Sequence, residues 1–402
     1  MLKGNLNLTR TAGFIRNQAL YNKWFQAACV AVLILVIYIV TQRGTTVCNQ
    51  YIRLADAFLD GRLYLVDVPD WFEVARFEGK AYVILPPAPA LFALPWVAIW
   101  GLSTDQIILT MLVAAGAMGL FWVAATQLGW SLRFRVAMTV LLAFGTNFWW
   151  TALDGGAWQF AHVSSVFFLM AALVETTGRN RPWLIGILVG LAGLSRLPTF
   201  LAFPFFAYTI SLGAADRRVI IRRLLVFGIA LAAMIAVYLA YNYGRYGTLS
   251  DQGYYQPQIY SYMWSEMGMF DIGYIPRQLN AILFEAPKFT EDFPFFRPTL
   301  MGLGLFFTTP ALLYMFRARL RGLPLAALVG LVAVAIPIVT YWSVGWIQFG
   351  YRYSLDFLPF MAILVASGMR YRLDGLKVAV ILLCCGVNLW GVLSFFWFYW
   401  VA

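Results

Sequence analysis

Nine apolar runs of membrane-spanning length punctuate this chain, near 25–41, 106–127, 136–152, 159–177, 219–241, 299–316, 323–342, 354–369 and 377–399. A crossing helix needs about 20 apolar residues. Backbone in hydrocarbon must satisfy its own hydrogen bonds, so runs of this length point to helices. Two shorter runs, 183–195 and 197–212, sit end to end, and one more, 85–101, carries Pro86, Pro87, Pro89 and Pro95. The 402 residues are 62% hydrophobic and 12% charged, which excludes an ordinary soluble domain of this size. The 16 Trp, 21 Tyr and 33 Phe suit aromatic belts at the two interfaces. The formal charge of +11 reads as basic residues anchoring cytoplasmic loops. It does not read as nucleic-acid binding, because no soluble basic domain exists to do it.

The positive-inside rule decides the topology. If 85–101 does not span, the arginines of 128–135, 178–182, 213–223, 317–322 and 370–377 all fall on the side of the basic N-terminus. If it spans, every later cluster moves outside. The segment therefore reads as an interfacial helix in the outer leaflet. The expected fold is an all-α polytopic membrane protein: one transmembrane domain over 1–402, with about eleven spans, N-terminus cytoplasmic and C-terminus outside. The first 24 residues are polar and basic (Lys3, Arg10, Arg16, Lys23), and the run 25–41 lacks a small-residue cleavage site, so no cleaved signal peptide is expected. Cys29, Cys384 and Cys385 lie in apolar runs and Cys48 in a loop, with no disulfide or zinc spacing.

Fifteen of the 18 acids then fall outside or at outer helix ends; Glu175, Asp216 and Asp374 are the exceptions. Two long outer segments remain, 42–105 and 242–298. In the first, Tyr51, Leu54, Ala55, Phe58 and Leu59 mark one apolar helical face, and Gly61 ends the helix. Asp56 and Asp60 share the other face, with Arg53 beside Asp56. This is an amphipathic interfacial helix that presents carboxylates near the headgroups, or simply a solvated polar face. Asp70 and Glu73, three apart, suggest a second short helix. The segment 242–298, rich in Tyr, Gly and Met, reads as a substrate lid or as a packing cover.

Several charges sit at membrane depth, where they are costly. Arg196 lies at the turn between two runs too short to cross fully, so it lines a cavity or snorkels to the headgroups. His162, the only histidine, starts the fourth span, either as a packing residue or as part of a site at the depth of Asp154, Arg196 and Arg352. Arg245 follows the seventh span at the same level. In "QFGYRYSLDFLPF", Arg352 and Asp356 are four apart, flanked by Tyr351 and Tyr353. Two readings stand: a local i, i+4 pair that offsets the cost of burial, or Asp356 orienting Arg352 toward an anion. Clustered guanidiniums match phosphate, and a phosphate at a membrane surface usually belongs to a lipid. A carboxylate above it suggests group transfer, with the carboxylate as base and the lipid phosphate as leaving group.

The chain resembles the GT-C superfamily of membrane glycosyltransferases, which includes the protein O-mannosyltransferases and the bacterial aminoarabinose transferase for lipid A. The likeness covers nearly the whole chain and rests on the order and spacing of several stretches. They are the long first outer loop, "GKAYVILPPAPALFALP", "FGTNFWWTALDGGAWQFAH", "GLAGLSRLPTF", "YNYGRYGTLSDQGY" and "GWIQFGYRYSLDFLPF". The resemblance implies inverting transfer of a sugar from a polyprenyl-phosphate donor to a glycan, lipid or protein acceptor on the outer face of an inner or plasma membrane. Arg196, Arg352, Arg245 and His162 would hold the donor phosphate, with Asp356, Asp154, Tyr351 and Tyr353 in support. The family often carries an acid directly after the first span, where this chain reads Cys48–Asn49–Gln50. The base would then be Asp56, or else Glu73 or Asp70. Some relatives use a divalent metal; no metal-ligand spacing is visible here, so none is expected. A lipid or polyprenyl-sugar flippase would share the buried arginines but should show inverted repeats, and none is found. A non-catalytic envelope scaffold would not explain arginines kept at depth.

Overall fold

A computed structural model of the chain describes residues 22–212, 216–253 and 267–402. The basic N-terminal stretch and part of the 242–298 segment lie outside the described residues. The chain is predominantly helical. Its first helix, α1 (Lys23–Thr41), is apolar all round and leaves Val32, Leu33 and Val40 more than half exposed, as expected of a face meant for lipid. A short helix α2 (Gln50–Leu59), a hairpin of β1 (Ala75–Phe77) and β2 (Lys80–Tyr82), and α3 (Ala88–Trp100) fill the first long connection. Then come α4 (Gln106–Gln127), α5 (Leu132–Phe144), α6 (Phe148–Asp154), α7 (Ala157–Thr177), α8 (Pro182–Gly193), α9 (Phe203–Ser211) and α10 (Arg217–Tyr246). The second long connection holds α11 (Ile275–Leu283) and a hairpin of β3 (Lys288–Phe289) and β4 (Phe296–Arg297). The chain closes with α12 (Leu305–Thr308), α13 (Leu323–Val339), α14 (Leu358–Gly368) and α15 (Gly375–Phe396). Helices α4 and α7 pack along each other at the buried centre, flanked by α1 and α8, with α10 against α8.

Five helices are long and apolar enough to cross a bilayer: α1, α4, α7, α10 and α15. Helices α5 and α6, bent by 50° at their break, make a sixth if counted as one span. This corrects the expectation of about eleven. The remaining apolar runs are real, but Pro and Gly cut their helices short. The run 299–316 contains Gly302, Gly304 and Pro310 and becomes α12 followed by a 3-10 helix, Pro310–Arg317. The run 354–369 is a 3-10 turn, Arg352–Phe357, capped onto the 11 residues of α14. The pair 183–195 and 197–212 is short as expected, with a 3-10 segment, Leu197–Ala202, between α8 and α9. The two small hairpins qualify the all-α expectation. Apolar composition sets how much chain prefers hydrocarbon; helix continuity also needs every amide to donate.

The first loop follows its sequence pattern only in part. Helix α2 buries Tyr51, Ile52, Leu54 and Ala55 and ends at Gly61, whose φ is +69°. The expected helix around Asp70 and Glu73 is absent: Pro69 and the left-handed Asp67 (φ +51°) lead the chain through bends into β1. Helix α3, at 13 residues about 20 Å long, is too short to cross. Close packing elsewhere relies on missing side chains. A Cβ on Gly186 or Gly190 of α8 would strike Phe227 or Met234 of α10, the small-residue contact by which membrane helices approach.

Four of the arginine-bearing connections, near 128–135, 178–182, 317–322 and 370–377, gather at one end. Gln127 bonds Thr177 at 2.7 Å, Trp130 packs on Tyr371 with centroids 5.9 Å apart, and the Arg319 amide donates to Ser367 Oγ at 3.2 Å. At the other end, Arg245 donates to the Val83 carbonyl at 2.7 Å, which ties the two long connections together.

Candidate functional site

The site forms where α8 stops. Ser195 Oγ turns back onto the Leu191 carbonyl, Arg196 becomes extended (φ −144°, ψ 109°), and the 3-10 segment starts at Leu197 with Pro198 in its first turn. The Ala88 amide donates to the Leu194 carbonyl at 2.9 Å, which brings Pro86 alongside this turn. Arg196 thereby reaches the wall of a cavity of about 190 Å³. Trp158, Tyr341 and Tyr353 give it aromatic walls, Leu197, Phe270, Pro337 and Ile338 an apolar side, and Asp251 a carboxylate.

Behind Arg196 stands Asp356, fully buried. Its Oδ2 accepts from Arg196 Nη2 at 3.2 Å and Nε at 3.3 Å, and its Oδ1 accepts from His162 Nδ1 at 2.8 Å. An ionised carboxylate only accepts, so the His162 Nδ1 carries the proton of this bond, and the buried Nε2 has no hydrogen-bond partner among the described residues. The sequence pairs Arg352 with Asp356; the structure does not. The Arg352 Nη1 donates to the Trp346 carbonyl at 2.8 Å, and its Nε is buried with no hydrogen bond among the described residues. Both earlier accounts of "QFGYRYSLDFLPF" are therefore corrected: Asp356 is neither the helical partner of Arg352 nor its guide, but the anchor of Arg196. Tyr353 links the two cations, with guanidinium carbons 5.3 Å (Arg196) and 5.4 Å (Arg352) from its ring centroid.

The other predicted residues separate by environment. Arg245 does not line the cavity. Its guanidinium lies 4.1 Å and 4.6 Å from the ring centroids of Tyr241 and Tyr246, and it donates to Asn242 Oδ1 at 2.6 Å as well as to Val83. Tyr351 is a strut, its hydroxyl donating to Gln278 Oε1 at 2.7 Å. Asp154 accepts from the Gly156 amide at 3.1 Å and lines a separate, polar cavity of about 140 Å³ with Arg43 and Thr46. Asp56 faces Arg62 at 3.6 Å, not Arg53, and Arg62 pairs more closely with Asp60 at 2.6 Å. Asp70 is fully exposed beside Arg76. Neither lines the Arg196 cavity. Glu73 does approach it: its Oε2 accepts from Trp158 Nε1 at 2.9 Å, so a cavity wall holds it from behind. The Cys48 thiol is pushed above the ordinary thiol range by burial, then by Asp154 and Glu73.

No family model, no curated protein and no solved structure matches this chain. The chemistry has to be read from the side chains themselves.

Two residues that local sequence reading passes over complete the geometry. Asp251 is fixed in the cavity wall by the Tyr238 hydroxyl, the Gly253 amide at 2.9 Å and Arg245 at 3.7 Å. Its only sequence signal is an acid six residues after Arg245 in a glycine-bounded loop. Gln106 is a buried hub: its Nε2 donates to the carbonyls of Cys48 at 2.9 Å and Gly155 at 2.8 Å, and its Oε1 accepts from the Tyr51 amide at 3.1 Å. That hub fixes the α6–α7 turn, where a Cβ on left-handed Gly155 would meet the Ile107 backbone at 2.7 Å. Among the described residues, no three His, Cys, Asp or Glu side chains converge as a metal would need.

Arranged this way, the cavity offers a cation held from behind, aromatic faces, an apolar side and the Asp251 carboxylate, with Glu73 bonded to the Trp158 wall.

Proposed function

We propose that this protein is a membrane glycosyltransferase that moves a sugar from a polyprenyl-phosphate donor to an acceptor hydroxyl on the outer face of an inner or plasma membrane. The observation that carries the reading is Arg196. It is a cation at the wall of an aromatic, half-apolar cavity, fixed by a fully buried Asp356–His162 pair. In this reading the short helices α8, α9, α13 and α14 complete the crossings begun by the long ones, and the arginine-rich end faces the cytoplasm. The resemblance to the GT-C superfamily supports the same assignment.

Arg196 pairs with the donor phosphate and stabilises the charge that grows on it as the glycosidic C–O bond breaks. A carboxylate takes the acceptor's proton, and the acceptor oxygen forms the new bond to the anomeric carbon from the face opposite the phosphate, inverting the centre. The bonding pair leaves with the polyprenyl phosphate. Glu73 is the base we favour over Asp56 and Asp70, because it alone of the three is bonded to a cavity wall. Exchange of Trp158 for acceptor at Glu73 would bring the carboxylate into reach.

The test is release of polyprenyl phosphate by purified protein offered a panel of polyprenyl-phosphate-sugars. Turnover that Glu73→Gln abolishes while donor still binds, and donor binding that Arg196→Ala weakens at least tenfold, are the expected results. Absence of binding and turnover with every donor, or Arg196→Ala binding donor as the native chain does, would overturn the reading.

A further inference from the structure

Helices α13 and α14 each touch the Arg196 cavity, or the 3-10 turn that feeds it, at one end. Pro337 and Ile338 of α13 line that cavity, and Arg352–Phe357 leads directly into α14. Their opposite ends meet at a second and larger cavity of about 930 Å³, lined by Arg319, Arg321, Arg370 and Arg372 together with Ser367 and Tyr371. We propose that this cavity binds a phosphate-bearing anion. The inference does not depend on the transfer reading.

Four observations carry it. First, the cations come from two connections far apart in sequence, 318–322 and 369–374, so their convergence is a product of the fold. The Arg319 amide donates to Ser367 Oγ at 3.2 Å, and a Cβ on Gly368 would collide with the Tyr314 carbonyl, so the two connections are held in contact. Second, none of the four guanidiniums makes an ion pair among the described residues. The nearest acid in sequence, Asp374, is engaged by Lys377 at 2.8 Å and caps α15. The four are solvent-exposed, so water and salt soften their mutual repulsion, and an anion joining them relieves what remains.

Third, the arginine-bearing turn is conformationally costly and still fixed. Arg370 and Tyr371 both adopt left-handed backbone, with φ of +58° and +54°. Residues with side chains rarely do so, and such strain clusters at functional sites. Amides 370 and 371 donate to the Ser367 and Ala366 carbonyls at 2.9 Å and 3.0 Å, and Tyr371 packs on Trp130 and Phe134. The turn therefore aims Arg370 and Arg372 without needing a ligand to fold it. Fourth, planar guanidinium forks bind phosphate oxygens two at a time, and a phosphate, with more oxygens and charge than a carboxylate, can engage several arginines at once. Leu320, Leu325 and Phe316 stand exposed nearby, so a lipid's acyl chains would find apolar surface beside the headgroup. A lipid headgroup and a soluble phosphate present the same chemistry to this cavity.

The full chain, purified in a neutral detergent, tests it in two arms at fixed ionic strength. In one, retention of phosphatidylglycerol against phosphatidylcholine is read by native mass spectrometry. In the other, inorganic pyrophosphate is titrated by calorimetry. Each is repeated on R319Q/R372Q, on R319K/R372K and on R217Q/R218Q, which removes the same charge from the exposed start of α10. We expect at least one anion to bind, R319Q/R372Q to weaken it at least tenfold, the lysine pair to weaken it less, and R217Q/R218Q to leave it unchanged. Preference for phosphatidylglycerol with no pyrophosphate binding assigns a lipid headgroup; pyrophosphate binding assigns a soluble source. Binding of neither anion, or equal losses in R319Q/R372Q and R217Q/R218Q, overturns the proposal.

Discussion

Replacing Asp356 by Asn separates two roles that a buried carboxylate beside an arginine can have. The Arg196 nitrogen is 3.2 Å from Asp356 Oδ2. With an effective dielectric of about 20, such a pair attracts by about 5 kcal/mol. Most of that offsets the cost of taking both charges from water, so the figure is not the net worth of the pair. Removing one partner is different, because Arg196 stays buried at 8% exposure, and breaking a buried pair costs about 3–5 kcal/mol. Asn keeps one acceptor for Arg196 or His162, which places the expected loss near the lower end, about 3 kcal/mol. Thermal unfolding in detergent reads that loss. Affinity for a short-chain polyprenyl phosphate then decides the role. If Asp356 merely neutralises Arg196, Asp356→Asn leaves the cavity more positive and phosphate binds more tightly. If Asp356 positions Arg196, the guanidinium loses its contacts at 3.2 and 3.3 Å and phosphate binds more weakly, by tenfold or more. Tighter binding, or a stability loss below about 1 kcal/mol, refutes the positioning role.

Three further substitutions and one chemical probe test the surrounding architecture. Arg245→Lys keeps a charge but cannot serve the Val83 carbonyl and Asn242 together; a loss of about 2–4 kcal/mol is expected, with lipid-phosphate affinity unchanged, and the reverse pattern would return Arg245 to a phosphate-binding role. Gly190→Val drives a side chain into Met234 and should cost about 1–3 kcal/mol, whereas Gly228→Ala, on an α10 position with open space, should stabilise by about 0.5–1 kcal/mol; equal effects would dismiss the α8–α10 contact. Because burial raises the Cys48 thiol, less thiolate is present at any given pH than in a free cysteine, so its alkylation at pH 8 should lag a model thiol and catch up as pH rises further; mass-spectrometric mapping of Cys48 at model-thiol rates would contradict its environment.

Local patterns were a sound guide where one helix decides the outcome. The i, i+3, i+4 stripe and Gly61 predict the extent of α2 closely, though Leu59 of the stripe is half exposed, and the shortness of the runs around Arg196 matches the short α8 and α9 with a break between them. They misled where the type of helix or a distant partner decides. Arg352 and Asp356 would lie on one face of an α-helix, but Arg352–Phe357 is a 3-10 turn between left-handed Gly350 and Pro359. At three residues per turn, positions four apart diverge by about 120°. Asp356 then turns to Arg196 and His162, 160 and 194 residues away, partners that no spacing rule reaches. Likewise depth put Arg245 level with Arg196, but only packing shows it caged by Tyr241 and Tyr246.

Among the described residues, the three buried arginines differ in what holds them, and the difference bears on which one can take a ligand. Arg245 donates to a carbonyl and an amide between two tyrosines and pairs with Asp251 at 3.7 Å, and it does not line the Arg196 cavity. Arg352 is held by the Trp346 carbonyl, with Tyr353 between it and the site. An arginine held by neutral dipoles keeps its full charge but has little freedom to meet an anion without breaking those bonds. Arg196 is held from behind by a carboxylate that His162 holds in turn, and it reaches the cavity wall. Its carboxylate lowers the cost of keeping a cation buried before any ligand arrives, and fixes its direction so that none is spent on ordering it afterwards. A phosphate entering beside it meets a charge already desolvated and already aimed, which is the condition under which an electrostatic contact contributes most to a transition state.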